Sequence, residues 1–143
     1  MRHIHLTIVM MTIEKLNLLC PGTLMEHLNI VFTELGEDYL CARMPVDKTT
    51  WQPMQILHGG ATMALIETVG SALSHAILKE SGYTAKGMEI NANHILSVKE
   101  GFVYAKAKII HQGKRTHVIE IIVTNEQDKI VTVSRLTNMI VKV

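Results

Sequence analysis

The chain has little of what would tie it to several large classes of protein. Only Cys20 and Cys41 occur. They fit no disulfide framework and no zinc pattern, so a reducing cytoplasm is the expected setting. The eight histidines show no H-E-x-x-H or comparable ligand spacing, which argues against a metal site. Neither a G-x-S-x-G elbow nor a P-loop is present. The formal net charge is +1, leaving no basic field to attract nucleic acid or an anionic membrane. No uninterrupted apolar run approaches the ~18 residues a spanning helix requires. The short apolar stretch 6–11 follows Arg2, His3 and His5 much as in a signal peptide. Glu14 and Lys15 come next, however, without a small-residue cleavage site. Residues 1–10 are therefore expected to be a disordered or over-extended N-terminus, with Met10 or Met11 as the natural start, and the domain to occupy 11–143.

What is present describes one globular domain. Its 143 residues suffice for a hydrophobic core, and 48% hydrophobic with 19% charged residues suits a folded chain. Thr12 caps a predicted short helix to about Cys20, which Pro21-Gly22 ends. Thr23 caps a second helix of one or two turns, with Glu26 at its third position. Strands are predicted over 30–34 and 39–44, followed by a polar loop over 45–53. A long helix runs from about Gly59 to Lys79, and Gly82 stops it. Alternation then marks Met88, Ile90, Ala92, His94 and Leu96 as one strand face. Further faces are Val103, Ala105, Ala107 and Ile109, then His117, Ile119, Ile121 and Val123, with a last strand over 130–143. Residues 112–115 and 125–129 supply the turns. Cys41 reads as a strand core residue.

This order predicts a hairpin, one long helix and a meander of four strands. A helix that is apolar over most of its surface needs cover on several sides. A strongly curved antiparallel sheet wrapped around it provides that cover. The expected fold is α+β with the hot-dog architecture, and a free sheet edge is expected to pair two copies.

Along the helix, Met63, Ile66, Val69, Gly70, Leu73 and Ile77 form the predicted core stripe. A narrower stripe of Gly60, Ala64, Glu67, Ser71 and Ser74 is small and polar, like the wall of a substrate passage. Within it Glu67 is a lone carboxylate where burial of charge is costly, so it needs partners, a shifted pKa or a wet site. Glu67 and Ser71 stand four apart and meet on one face, where the hydroxyl orients the carboxylate. His58-Gly59-Gly60 opens the helix with no Ser, Thr, Asp or Asn at the cap. The first amides are then open to an oxyanion or a polarised carbonyl. Gly59 and Glu67 lie about 12 Å apart along the axis at 1.5 Å per residue, too far to act on one carbonyl. A second, antiparallel copy of the helix in a dimer would bring donor and carboxylate together.

Five segments in order carry a family likeness: M-P-V-D-x-x-x-x-Q-P (Met44 to Pro53), L-H-G-G-A (Leu57 to Ala61), E-x-x-G-S (Glu67 to Ser71), G-M-E-I-N-A-N-H (Gly87 to His94) and S-R-L-T (Ser134 to Thr137). Together they resemble the hot-dog acyl-CoA thioesterases, in the branch with the 1,4-dihydroxy-2-naphthoyl-CoA, enterobactin-pathway and phenylacetyl-CoA thioesterases. The resemblance spans about Met11 to Val141. It implies hydrolysis of acyl-CoA thioesters, with an aromatic acyl group favoured by the branch. No cofactor is implied, since CoA is part of the substrate. Glu67 matches the catalytic carboxylate, as nucleophile or as base for water, and the Gly59 N–H matches the group that polarises the thioester carbonyl. Gln52 and His58 match polar groups that hold thioester and water, and Ser71 matches the hydroxyl one turn beyond the carboxylate. His94, Trp51 and Gly60 are implied to contact substrate. Trp51 is larger than the pattern expects before Gln-Pro and would narrow or roof the acyl pocket. The hairpin Gly113-Lys114-Arg115 resembles a turn that meets CoA phosphates. A homodimer is implied as the catalytic unit, with pairing into tetramers.

Two other functions fit the same fold. A hot-dog dehydratase or hydratase would pair a histidine base with a helix carboxylate, and the Gln52-Pro53 and His58-Gly59-Gly60 pattern argues against it. A non-catalytic acyl-CoA binding domain has no use for Glu67 beside a thioester.

Overall fold

Thr12 and Thr23 cap the first two helices, as their sequence predicts. In the computed structural model, which describes residues 10–79 and 81–143, Thr12 Oγ1 accepts from the Lys15 amide at 3.3 Å and opens α1 (Ile13–Leu18). Thr23 Oγ1 accepts from the Met25 amide at 3.3 Å and opens α2 (Leu24–His27). Glu26 reaches back to the Gly22 amide at 2.6 Å. Neither helix is long enough to be stable alone. Asn17 ties α1 to the sheet by donating to the Phe32 carbonyl and accepting from the Phe32 amide, each at 2.9 Å. The expectation about the N-terminus falls, except for Met10, outside the described residues.

The remaining elements are β1 (Val31–Leu35), β2 (Tyr39–Pro45), α3 (Gly59–Leu78), β3 (Tyr83–His94), β4 (Phe102–Gln112), β5 (Thr116–Thr124) and β6 (Ile130–Lys142). The strands form one antiparallel sheet in the order β1-β2-β4-β5-β6-β3. This corrects the expected four-strand meander. Only β4, β5 and β6 follow one another, while β3 pairs with β6 at the far edge and β2 takes its place beside β4. The chain leaves β3 through an irregular segment, 95–101, long enough to cross to the other half of the sheet.

β3 begins at Tyr83 rather than Met88 and ends at His94, so Leu96 lies beyond it. Gly87 pairs with Asn138 and Glu89 with Thr137, which leaves Met88 as the extra residue of a bulge and 57% exposed. An inserted residue breaks strict alternation, so the face assigned to Met88 from the sequence was the wrong one. Further irregularities in β1, β4 and the β5–β6 pair assist the curvature that wraps the sheet around α3.

Between helix and sheet sits the core. Leu65, Ile66, Val69 and Leu73 of α3 are fully buried, as are Leu40, Met44, Val103, Ile119, Ile121 and Leu136 of the strands. Burial of each such side chain contributes roughly 1.5–3 kcal/mol. Met63 and Ile77 from the predicted stripe are only partly buried at its margin. Gly70 lets helix and sheet approach, since a Cβ there would stand 2.5 Å from Leu136 Cδ2. Cys41 lies on the opposite face from buried Leu40 and Ala42, half-buried, and is no core residue. By length and hydropathy α3 would also pass for a membrane span, with mean hydropathy 1.3, although the sequence has no uninterrupted apolar run of that length. Its contacts with β2, β3, β4, β5 and β6 identify it as the core helix of this fold.

Ser74 departs from its predicted role. It is fully buried, accepts from Asn138 Nδ2 at 2.8 Å and pairs with His117 Nδ1 at 3.0 Å. It is the node of an interior polar trio rather than part of a passage wall. Burial pushes the His117 imidazole below its ordinary value of 6.5, and nearby His111 adds to the effect. A depressed imidazole stabilises the fold fully above the unfolded value, and that contribution is lost as pH falls from about 6.5 through the lower folded value. Denaturation midpoints are thus expected to fall between pH 7.5 and 5.5, less steeply in His117→Gln. His75, exposed at the surface but with its imidazole lowered by local desolvation, is shifted the same way and contributes in parallel.

Candidate active site

The helix α3 projects Glu67 and Ser71 from one face, and the Ser71 hydroxyl donates to Glu67 Oε1 at 3.1 Å. The carboxylate is half-buried and packs against the backbone of Gly87, where any Cβ would collide with Oε1. Two elements therefore hold one oxygen. The serine comes from one turn along the helix, and the bare backbone comes from the residue before the β3 bulge. Sequence reasoning included Gly87 in a motif but gave it no role. Gly87 stands just before Met88, where the strand was expected to begin, so a glycine within a strand, the usual sign of a close approach, became visible only once β3 was found to start at Tyr83.

Glu67 and Ser71 stand on the wall of a largely apolar chamber of about 750 Å³. Leu16, Leu19, Met25 and Phe32 supply much of its lining, which is where the two short helices matter. Further along the same helix face His75 also lines the chamber, its Nδ1 at 3.2 Å from Thr84 Oγ1. An apolar pocket with a few placed polar groups is the usual form of a small-molecule site. A lone carboxylate in such a wall has the means to act as nucleophile or base toward an electrophilic carbon.

The other end of α3 carries a different apparatus. His58, in extended conformation, is the cap residue, and its Nδ1 accepts from the Gly60 amide at 2.7 Å. This corrects the expectation of uncapped amides, because a histidine does the work of Ser or Asp and leaves Gly60 N–H engaged. Among the described residues the Gly59 and Ala61 amides have no acceptor, and that of Gly59, the first helical residue, is a donor left at the positive end of the helix dipole. His94 lies beside it. A Cβ at Gly59 would stand 3.0 Å from His94 Nε2, and Thr132 Oγ1 fixes the ring through Nδ1 at 3.0 Å. Gly59, Thr62 and His94 border a second cavity of about 210 Å³.

The predicted site residues thus fall into two groups within one chain. Glu67 and Ser71 converge, as do Gly59, Gly60, His58 and His94. Gln52 is half-buried in the loop before the helix, its side-chain oxygen turned back to the Met54 amide. Trp51 donates from Nε1 to the Lys99 carbonyl at 3.0 Å and is not among the residues lining the chamber. Gly113 and Lys114 border a third cavity, of about 560 Å³, which shares Leu78 and Tyr83 with the chamber; the backbone carbonyl of Arg115 accepts from the Ile140 amide at 2.8 Å.

Known proteins match this fold and this order of residues. The profile of the thioesterase superfamily matches residues 54–132. The proofreading thioesterase EntH of Cronobacter sakazakii is 42% identical over 130 residues, 91% of this chain and 94% of that protein. The 1,4-dihydroxy-2-naphthoyl-CoA hydrolase of Escherichia coli is 40% identical over 129 residues, 90% of this chain and 94% of that protein. A solved thioesterase of Haemophilus influenzae superposes with a TM-score of 0.89 at 42% identity, covering 92% of each chain. A Staphylococcus aureus thioesterase has been solved with a glutamate replaced by alanine (TM-score 0.82, 38% identity, 85% of this chain and 100% of that chain). It has also been solved with a glutamine replaced (TM-score 0.79, 38% identity, 82% and 97%). With the fold, the helix-borne carboxylate and these matches in agreement, the chain belongs to the thioesterase superfamily and is a thioester hydrolase of the hot-dog fold.

Proposed function

We propose that the chain hydrolyses aromatic acyl-CoA thioesters at a centre shared by two copies of itself. The observation that carries this reading is the Glu67 carboxylate, steadied by Ser71 and Gly87, on the wall of an apolar chamber of about 750 Å³. The glutamine and glutamate replaced in the Staphylococcus aureus relative lie fifteen positions apart, the separation of Gln52 and Glu67 here. That coincidence favours both residues as working parts. The Escherichia coli relative is named for an aromatic acyl-CoA, which favours an aromatic group in this chamber.

A thioester carbonyl is electrophilic and its thiolate leaves readily, so little machinery is needed. The Gly59 amide of one copy polarises the carbonyl oxygen, backed by the helix dipole. Glu67 of the other copy either adds to the carbonyl carbon, expelling the CoA thiolate to form an anhydride that water then cleaves, or removes a proton from water adding to that carbon. Both routes end in free acid and CoA thiol. The shared arrangement follows from the rise of about 12 Å between Gly59 and Glu67 on one helix. β3, an edge strand twelve residues long, offers the backbone along which two sheets can join. Gln52 and His58 are assigned to hold thioester and water, and Gly113, Lys114 and Arg115 to meet the CoA phosphates.

A panel of CoA thioesters followed by thiol release tests the reading. Benzoyl-type esters are expected to turn over faster than aliphatic esters of equal carbon number. Enoyl formation from a 3-hydroxyacyl-CoA without thiol release would instead identify a dehydratase.

A further inference from the structure

Glu67, Ser71 and His75 follow one another at four-residue spacing and all line the same chamber. The first two belong to the reaction proposed above; His75 has no part in it. Its ring is nonetheless fixed, with Nδ1 at 3.2 Å from Thr84 Oγ1 of β3, and it sits among apolar neighbours at the end of the chamber away from the carboxylate. An imidazole held by one nitrogen presents the other as a single directed hydrogen-bonding group. It remains reachable from solvent, as a group that meets an entering ligand must be.

We propose that His75 is a specificity-determining residue that reads a polar substituent on the far side of the acyl group, with Thr84 as its positioning residue. The inference rests on the aromatic thioesterase reading above and deepens it. Length is what selects the ligand. Residues 67 and 75 are separated by about 12 Å of helix rise. Both side chains lean toward the helix N-terminus, so the offset between their tips is similar. About 3 Å of that span lies between the carboxylate and the carbon under attack, and about 2.8 Å is the hydrogen bond at the imidazole. Roughly 6 Å remain for the acyl group, the length of one aromatic ring with its substituent opposite the thioester. A hydroxyl fits there chemically, since it donates and accepts and can pair with either tautomer of His75. Partial desolvation lowers the imidazole's affinity for protons, which keeps the ring neutral at pH 7 and favours a neutral hydroxyl over a carboxylate. A site that hydrogen-bonds a substrate hydroxyl discriminates against the analogue lacking it.

The test compares kcat/KM for para-hydroxybenzoyl-CoA and benzoyl-CoA in the wild type, His75→Phe, His75→Gln and Thr84→Val. Wild type is expected to prefer the hydroxylated ester by about tenfold or more. His75→Phe keeps ring size but loses the hydrogen bond, and is expected to erase that preference while benzoyl-CoA turnover stays within about threefold. His75→Gln should restore part of the preference, which a fault in folding would not, and Thr84→Val should weaken it. An unaltered preference in His75→Phe, or equal losses on both esters, overturns the inference while leaving the thioesterase reading intact. Wild-type protein that hydrolyses neither ester sinks both together.

Discussion

Glu67→Gln is expected to lower kcat for benzoyl-type CoA thioesters by about 10²–10⁴-fold, the usual contribution of a positioned acid–base or nucleophilic group. Glutamine is nearly isosteric and can still accept from Ser71, so the melting temperature should stay close to that of the wild type. The same variant tests the shared centre. Gly59→Pro removes one of the amides left unengaged at the helix N-terminus, and proline is well tolerated at a first helical position. Each variant alone should be nearly inactive. Mixed in equal amounts and allowed to exchange subunits, they should recover about a quarter of wild-type activity, because half the dimers are mixed and each has one intact site of two. Activity of Glu67→Gln within a few-fold of wild type would remove the carboxylate from the mechanism. A failure of the exchanged mixture to recover would place amide and carboxylate in the same subunit.

A second large effect is expected at a residue with no side chain. In Gly87→Ala the new methyl would occupy the space of Glu67 Oε1. The backbone of β3 is held by β6 through its full length, whereas the carboxylate ends a flexible side chain, so the carboxylate gives way. The fold then loses little, but Glu67 leaves its bond with Ser71 and its aim at the substrate. Misplacement by about 1 Å is enough for a hundredfold loss of rate. We expect kcat to fall by that order with KM little changed and the denaturation midpoint nearly unmoved. In a Glu67→Gln background Gly87→Ala should cost much less, since the coupling acts through the carboxylate. Equal effects in both backgrounds would assign Gly87 to strand structure alone.

These two residues mark the range of what could be read in advance. Glu67 stood out because a charge on an apolar helix is conspicuous against its period, and Ser71 followed from helical spacing alone. Helix caps at Thr12 and Thr23 were equally legible, being local contacts over two or three residues. Gly87 was not, because its significance lies in a carboxylate twenty positions away that only packing brings near. Ser74 misled for the same reason. Its place on the helix suggested a passage wall, yet Asn138 and His117 from two strands claim its hydroxyl for the interior. His58 shows a third case, in which the sequence holds a cap but not one of the residue types that usually signal it.

By itself the sequence determined the elements, the long apolar helix and the position of its one carboxylate, because hydrophobic period, turn residues and caps are properties of neighbouring residues. The tertiary structure alone decided that β3 joins β6 rather than β4, that a bulge frees Met88 from its predicted face, that Gly87 backs the Glu67 carboxylate, and that His75 lines the same chamber as Glu67. Each of these depends on contacts between distant segments, whose geometry is set by how the sheet curves around the helix and not by any local preference of the chain.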